Sequence, residues 1–260
     1  MHILIVNDDG IEAAGLAALE EAALAVSDEV SVVAPTQEHS AQSHAITVRE
    51  PILVNELQSQ ANLIRYSIQG TPTDCVRLAI LELCPKPPGL VLSGINHGAN
   101  MGWEIFFSGT VAAAAEAYSF GIPSVAFSLA SWSKCEFQTA SRVAKVMIEN
   151  FVALGQGEPF FYNVNIPPIS YNDIKGVRLT RTEPNVKGDG YVSREAPDGR
   201  RYFWATWGDR HTKSSEITDP SYDVVAIREN YVSLTKLKYD VSASLEETET
   251  SQKFTNISFK

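Results

Sequence analysis

Short aliphatic runs alternate with amphipathic or alanine-rich segments along the first 165 residues of the chain. Strands that are buried on both faces are continuous apolar runs, whereas a helix on a sheet repeats its apolar residues every three or four positions. The alternation predicts an α/β fold with a right-handed, doubly wound, mostly parallel sheet. We predict buried strands at 3–6, 30–34, 90–93, 124–127 and 160–164, shorter strands of a hairpin-like extension at 46–48, 52–54 and 63–67, and helices at 11–26, 72–83, 111–118 and 140–151.

The pattern changes in the last third of the chain. Residues 181–222 are polar and aromatic without a helical period, which predicts a β-hairpin arm that packs against something else, such as a partner subunit. A final strand is predicted at 231–234, and the tail at 241–260, rich in Ser, Thr and Glu, is predicted to fray. No repeat or flexible linker divides the chain, so we predict a single domain. Its predicted boundaries are 1–260 for the whole, 1–180 for the core and 181–235 for the arm and late strand.

Composition narrows the class of protein. A formal net charge of −10 argues against general binding of nucleic acids or anionic membranes. The three cysteines, Cys75, Cys84 and Cys135, form no C-x-x-C pair and no even set, which favours reduced thiols. No apolar run reaches membrane-spanning length, and the first residues lack the basic start and apolar region of a signal peptide. We expect a soluble cytoplasmic protein with no nucleic-acid or membrane partner.

Two adjacent carboxylates, Asp8 and Asp9, follow the first predicted strand directly and precede Gly10. The carboxyl edge of an open α/β sheet is where ligands bind. Two neighbouring acids repel each other there, and burial raises the pKa of one or both unless a cation keeps them ionised. A divalent metal ion is the simplest such partner. The alternative is a solvated Asx turn before Gly10.

Ser40 and Asn96 lie in loops that follow two other predicted strands. A parallel sheet brings such loops to the same edge as Asp8 and Asp9. Carboxylate, hydroxyl and amide oxygens form a hard site that suits Mg²⁺ or Mn²⁺ better than thiolate-bound zinc. Taken singly, Ser40 fits an ordinary loop hydroxyl better, and Asn96 fits a turn residue with left-handed backbone better.

Ser108, Gly109 and Thr110 open the alanine-rich helix. A helix start offers free backbone N–H groups and the positive end of the helix dipole, and these residues add two hydroxyls. Together those groups form a phosphate cradle. Ordinary capping of the helix by Ser108 or Thr110 is the alternative, and the sequence does not separate the two interpretations.

The residues singled out so far resemble the SurE survival-protein family of metal-dependent 5′-nucleotidases. The resemblance rests on five ordered motifs in the first 130 residues, and the predicted late strand at 231–235 is also similar to that of the family. The motifs are Asn7-Asp8-Asp9-Gly10-Ile11; Ala34-Pro35 with Ser40-Ala41 and His44; Gly70-Thr71-Pro72 with Asp74-Cys75-Val76; Ser93-Gly94-Ile95-Asn96 with Gly98 and Asn100-Met101-Gly102; and Ser108-Gly109-Thr110-Val111.

The resemblance implies a Rossmann-like core with a swapped C-terminal arm, assembled as a homodimer or homotetramer. It implies one divalent metal ion (Mg²⁺ or Mn²⁺) with Asp8, Asp9, Ser40 and Asn96 as ligands. The implied activity is hydrolysis of nucleoside 5′-monophosphates to nucleoside and phosphate, and some members also act on polyphosphate. Four departures from the family pattern bear on substrate preference and arm geometry more than on the metal: Phe107 for Tyr or His, Ser43 and Ala112 for Gly, and Lys236 for Pro.

Two other functions are alternatives to this hydrolysis of phosphate monoesters. Haloacid-dehalogenase-type phosphatases use Asp-x-Asp after the first strand, but here that frame places Asn7 opposite Asp9, and an amide forms no aspartyl-phosphate. A nucleotide-binding regulatory module without turnover fits the same loops, because binders and enzymes share them. In the enzyme, either Asp8 or Asp9 can accept the proton of the attacking water, and the sequence does not choose between them.

Overall fold

The computed structural model describes residues 1–57, 59, 62–131, 133, 136–155, 157–183, 190–206 and 216–240. Cys135, Trp207 and the tail predicted to fray at 241–260 lie outside these residues. The strands are β1 (Ile3–Val6), β2 (Val30–Pro35), β3 (Val54–Glu56), β4 (Leu63–Ile68), β5 (Leu90–His97), β6 (Ser124–Leu129), β7 (Phe161–Ile166), β8 (Val177–Thr180), β9 (Gly190–Glu195), β10 (Arg201–Thr206) and β11 (Val232–Lys236). The helices are α1 (Ala14–Leu24), α2 (Pro72–Leu78), α3 (Gly109–Ser119), α4 (Gln138–Ala153) and α5 (Asp223–Arg228), with 3₁₀ turns at Gly102–Phe106 and Tyr171–Asp173.

Nine strands form one sheet in the order β3-β4-β2-β1-β5-β6-β7-β11-β8. Neighbouring strands run parallel except in two pairs, β3 with β4 and β7 with β11. β1 lies between β2 and β5, so that Ile3 is opposite both Val30 and Leu90. The α/β fold with a mostly parallel sheet, predicted from the sequence, is confirmed.

Both faces of the sheet are covered by helices. Ile3 and Ile5 of β1 enter a core with α1 and α4, whereas Leu4 and Val6 enter a second core with α2 and α3. All four side chains are fully buried, which explains why the strand is a continuous apolar run and not an alternating one. The helices therefore wind around both sides of the sheet, as the sequence predicted.

Helix α2 begins where the sequence predicts, at Pro72, but it ends earlier than predicted. Thr71 Oγ1 accepts a hydrogen bond from Asp74 N at 3.1 Å, and Asp74 Oδ2 accepts one from Thr71 N at 2.9 Å, which completes a capping box. Instead of continuing as one helix to residue 83, the segment changes to a π-helical turn at Ala79–Leu83. Within the described ranges, no helix is long and apolar enough to cross a membrane.

The prediction of a strand at 46–48 is wrong. Thr47 N donates to both carboxylate oxygens of Asp74, at 3.1 and 3.2 Å, so a side chain satisfies the backbone that a neighbouring strand would have paired. The extension consists of β3 and β4 alone. α1 also begins at Ala14, later than predicted, because Ile11 N pairs with Pro35 O at 2.8 Å across the carboxyl ends of β1 and β2.

β9 and β10 form a separate antiparallel hairpin, in which Tyr191 lies opposite Ala205 and Val192 opposite Trp204. The predicted hairpin arm is therefore present. Its aromatic side chains are exposed in the single chain, 74% for Tyr191 and 64% for Trp204. The sequence did not predict β8, which forms the edge of the main sheet beside β11.

Candidate active site

The carboxyl ends of β2, β1 and β5 lie side by side, because the three strands are parallel neighbours. Asp8 and Asp9 follow β1, the loop with Ser40 follows β2, and Asn96 lies near the end of β5. The first turn of α3 reaches the same edge at Gly109. Four separate segments thus place the predicted site residues along one edge of the sheet.

Asp8 is the buried carboxylate of the site, with 4% of its surface exposed. Thr110 Oγ1 donates a short hydrogen bond to Asp8 Oδ1, and the main-chain oxygen of Asp8 accepts from His39 N at 2.8 Å. Burial raises the pKa of Asp8 to about 6; the hydrogen bond from Thr110 opposes the rise and the charge of Asp9 adds to it. A carboxylate held in this way gains most from a cation beside it.

Gly109 and Asp8 are in van der Waals contact. A Cβ atom at position 109 would lie 2.8 Å from Asp8 Cβ and 2.9 Å from Asp8 Oδ2, too close for any side chain. The glycine therefore lets the start of α3 approach the carboxylate directly. As a result, the positive end of the helix dipole lies next to the acidic pair.

Asp9 and Asn96 are oriented by the end of β5. His97 N donates to Asp9 Oδ2 at 3.2 Å, and Asn96 Nδ2 donates to Gly98 O at 2.9 Å. Burial raises the pKa of Asp9, which the His97 N–H group opposes and the charge of Glu38 reinforces. Because the amide nitrogen of Asn96 is engaged by the loop, its amide oxygen is the atom presented to a ligand.

Ser40 is positioned by its loop but its hydroxyl is bonded elsewhere. The bond from His39 N to the main chain of Asp8 brings the loop to the end of β1. The Ser40 side chain is exposed, and its Oγ donates to Glu38 Oε1 at 2.6 Å. The structure thus places Ser40 in the loop after β2, with an exposed side chain whose hydroxyl proton points to Glu38.

The hydroxyl groups of Ser108 and Thr110, at the start of α3, make different hydrogen bonds. Ser108 is the N-cap, since its Oγ accepts from Val111 N at 3.1 Å. Thr110 instead donates to Asp8. The N–H groups of Gly109 and Thr110 belong to the first helical turn, where no intrahelical acceptor is available. The backbone N–H of Thr110 is directed at Asp8 and lowers the pKa of that carboxyl, and the N–H of Gly109 is the one that can bind another anion.

The donor set fits a hard divalent cation. Asp8 and Asp9 supply two carboxylates, and Asn96 and Ser40 can supply neutral oxygens. Asn7 Oδ1, directly beside them in sequence, is buried without a hydrogen-bond partner. No group of three or more His, Cys, Asp and Glu side chains is placed to bind a metal ion in the described part of the chain. At a site with only two carboxylates, neutral oxygens such as those of Asn96 and Ser40 would complete the coordination of a cation.

A partly buried network that the sequence did not predict ties the Ser40 loop to α3. His44 Nε2 lies 2.8 Å from Glu116 Oε2, and Arg77 Nη1 lies 2.6 Å from Glu116 Oε1. His44 and Arg77 together lower the pKa of Glu116 despite its burial. In the same loop, Ser43 N and Oγ donate to the main chain of Phe107 and Phe106, at 3.0 and 2.6 Å. This loop is held at both ends.

Ser43 also explains one departure from the family pattern. Its φ angle is +56°, in the left-handed region that favours glycine, and it occupies a position where glycine is common in the family. The two hydrogen bonds from Ser43 to the turn before α3 offset the cost of that backbone conformation. Serine is thereby accommodated without a change in the course of the loop.

A second unpredicted network fixes the loop after β5. Asn165 Oδ1 accepts from Asn100 N at 2.9 Å, and the amide groups of Asn163 and Asn165 donate to Asn100 O at 2.8 and 2.9 Å. The signal was present in the sequence, because two asparagines at alternate positions of an apolar strand face the same side. Both side chains are fully buried, so the strand anchors the loop from below.

The chain is similar to known proteins over nearly its whole length. The family model of survival protein SurE matches residues 3–189. A protein from Trichormus variabilis named 5′-nucleotidase SurE is 40% identical over 253 residues, which cover 93% of this chain and 94% of that protein. One of the same name from Synechococcus is 39% identical over 246 residues, covering 94% and 93%. The crystal structure of the SurE protein from Aquifex aeolicus superposes with a TM-score of 0.82 at 32% identity, covering 98% of this chain and 99% of that one.

Proposed function

The chain belongs to the SurE family, and we propose that it is a 5′-nucleotidase that hydrolyses nucleoside 5′-monophosphates to nucleoside and phosphate. The family resemblance inferred from the sequence motifs is confirmed. The relatives named 5′-nucleotidase SurE align with this chain over nearly their whole length, which supports the same activity for this chain.

One observation supports the proposed chemistry most strongly. Asp8, buried at the end of β1, is in contact with the first turn of α3 through Gly109 and Thr110. A carboxylate that favours a cation therefore lies directly beside N–H groups that favour an anion. A phosphate ester that binds here can use the cation and the helix start together, because the two contact different oxygens of one phosphoryl group.

The proposed metal ligands are Asp8, Asp9, Ser40 and Asn96, and the proposed ion is Mg²⁺ or Mn²⁺. When bound, such an ion neutralises phosphoryl charge and acidifies water. The protein orients these ligands beforehand, with Thr110 holding Asp8 and His97 N–H holding Asp9. This preorganisation lowers the cost of assembling the charged site.

The phosphoryl group is proposed to lie at Ser108, Gly109 and Thr110. Their first-turn N–H groups donate to phosphoryl oxygens, and the helix dipole favours the charge that redistributes during transfer. Asp8 or Asp9 accepts the proton of the water that attacks phosphorus in line. The bond from phosphorus to the ester oxygen breaks, and the leaving oxygen takes up a proton to give the nucleoside.

The test of this function is turnover by the purified protein. Release of phosphate from adenosine 5′-monophosphate and from p-nitrophenyl phosphate is measured with Mn²⁺, with Mg²⁺ and with a chelator. We expect turnover with a divalent ion and none with the chelator. Tight nucleotide binding without turnover in any of these conditions would instead establish the alternative, a binding module, which the names of the relatives do not favour.

We further propose that the arm joins subunits of a homodimer or homotetramer in the cytoplasm. Its support is the exposure of Tyr191 and Trp204 on a hairpin that forms a two-stranded sheet of its own. A cytoplasmic location is supported by Cys75 and Cys84, the two described cysteines, which are both free thiols.

A further inference from the structure

Asp223, the first residue of α5, is a carboxylate with no exposed surface. Three backbone N–H groups donate to it: Gly102 N to Oδ2 at 2.9 Å, Glu183 N to Oδ1 at 3.0 Å and Val224 N to Oδ1 at 2.9 Å. Burying a carboxylate is costly unless such donors satisfy it. Two of the three donors come from distant parts of the chain, so the residue does more than cap its own helix.

The first distant donor lies in the segment that leads into the active site. Gly102 begins the 3₁₀ turn Gly102–Phe106, and Ser108 and α3 follow within a few residues. Upstream, the same segment starts from Asn96 at the end of β5. Asn100 anchors this segment to β7, and the bond to Asp223 is its next fixed point along the chain.

The second distant donor lies at the root of the arm. Glu183 precedes the hairpin, and Asp223 follows it. The two sides of the root are joined, because Arg181 N donates to Ser221 O at 2.8 Å and Asp223 N donates to Arg181 O at 3.0 Å. A single carboxylate therefore connects the closed root of the arm to the active-site segment.

The fit at Gly102 is close enough to transmit a displacement. Its φ angle is +55°, and a Cβ atom there would lie 3.1 Å from Glu183 Cγ. Gly102 therefore packs closely against Glu183, whose N–H group also donates to Asp223. A displacement of the turn at Gly102 would move the start of α3, which follows it within a few residues.

We infer that Asp223 is a positioning residue for phosphate binding: it holds the turn at Gly102 so that the first turn of α3 faces the acidic pair, and it makes that position depend on the root of the arm. The inference rests on the proposed function, because it concerns the same phosphate cradle. Asp223 touches neither substrate nor metal, so it acts only through the turn at Gly102. The arm then affects phosphate binding in addition to contacting a partner subunit.

The test compares Asp223→Asn with Asp219→Asn. The asparagine at 223 keeps the shape of the side chain but turns one acceptor into a donor, so either Gly102 or Glu183 loses its partner. Asp219 lies at the same root, where its side chain pairs with Arg181 at the surface and accepts a hydrogen bond from Ser221 N. Both variants thus replace an aspartate by an asparagine, and the comparison isolates the bond between Asp223 and Gly102 N.

Steady-state kinetics with adenosine 5′-monophosphate and competitive inhibition by inorganic phosphate are measured well below the melting temperature of each variant. For Asp223→Asn we expect KM and the inhibition constant of phosphate to rise together by about tenfold, because a displaced cradle binds the phosphoryl group less well. Both constants should change less than twofold for Asp219→Asn. A lowered melting temperature with wild-type KM and wild-type phosphate inhibition for folded Asp223→Asn would overturn the inference.

If Asp223→Asn does not fold, Asp223→Ser is used, because the shorter side chain has a single acceptor oxygen and cannot bond both Gly102 N and Glu183 N, and the question is decided by the same two constants. A rise in both supports the inference, and wild-type values overturn it. Failure of the proposed function is a separate result, since the wild-type protein would then show no turnover. If the wild type shows turnover and the variant binds phosphate as tightly as the wild type does, only the proposed role of Asp223 is excluded.

Discussion

Thr110, in the first turn of α3, donates its hydroxyl proton to Asp8, at the end of β1, across 102 residues of sequence. The bond joins the helix start that favours a phosphate to the carboxylate that favours a cation. Because Thr110 is fully buried, the bond is formed away from water, where it fixes the rotamer of the carboxylate. The hydroxyl therefore orients the acidic side of the site, while the backbone of the same turn supplies the positive end of the helix dipole.

Thr110→Val keeps the β-branched shape and removes this hydrogen bond. Loss of a hydrogen bond to a charged group costs about 1.5–3 kcal/mol, so kcat/KM should fall roughly ten- to a hundredfold. Thr71→Val is the matched control, since Thr71 caps α2 and its loss should cost about 1 kcal/mol of stability with unchanged kcat/KM. Kinetics and thermal melts distinguish the two, and equal behaviour of both variants would show that Thr110 acts on stability alone.

Asp8→Asn and Asp9→Asn each remove charge from the proposed metal site. We expect both to reduce turnover by several orders of magnitude and to weaken Mn²⁺ binding in calorimetric titrations, without loss of fold by circular dichroism. Asp28→Asn, an exposed residue before β2, should leave both measurements unchanged. Near-wild-type Mn²⁺ affinity in the two variants would place the metal elsewhere.

Glu116 makes stability depend on pH in a direction that follows from its partners. His44 and Arg77 hold the pKa of this buried carboxyl below its ordinary value of 4.5. A carboxyl whose folded-state pKa is lowered stabilises the fold above the unfolded pKa and loses that contribution as pH falls through the folded pKa.

Glu116→Gln should therefore melt below the wild type at pH 7, by an amount that corresponds to about 1–3 kcal/mol. The difference in melting temperature should shrink as the pH falls below about 4.5. Glu12→Gln, at an exposed acid in the loop between β1 and α1, controls for general loss of charge. A difference that is constant with pH would mean that shape, and not ionisation, explains the loss.

The arm can be tested with two substitutions. Tyr191→Ser combined with Trp204→Ser removes the most exposed aromatic area of the hairpin and leaves its backbone pairing. If the arm joins subunits, the mass measured by light scattering should fall at micromolar concentration. Leu81→Ser, an exposed apolar residue next to α2, should not change the mass. An unaltered mass in the double variant would exclude these side chains from the interface.

Prediction from sequence succeeded where the signal was local. The apolar run of β1 and the capping box of Thr71 and Asp74 depend on residues that are adjacent in sequence, and both are present. The strand at 46–48 failed because Asp74, 27 residues away from Thr47, takes its backbone N–H. Local composition cannot show that kind of competition.

The same distinction applies to the candidate site. Asp8 and Asp9 stand out in the sequence because two acids directly follow a buried strand, and the carboxyl edge of a parallel sheet is where ligands bind. Asp223 does not, since Asp219 four residues earlier has the same chemistry in the same polar context and is exposed. What separates the two is burial against Gly102 and Glu183, which only the folded chain reveals.

The contact between Gly109 and Asp8 has a consequence for altering the substrate range of the enzyme. Since no larger residue fits at 109, the spacing between the phosphate cradle and the acidic pair is fixed by backbone and cannot be tuned by exchange of side chains. A mutant library that randomises the cradle would be dominated by inactive clones. Diversity is better directed at exposed residues bordering the site, such as Trp103 and Phe107, where new side chains can select the leaving group while the hydrolytic centre keeps its dimensions.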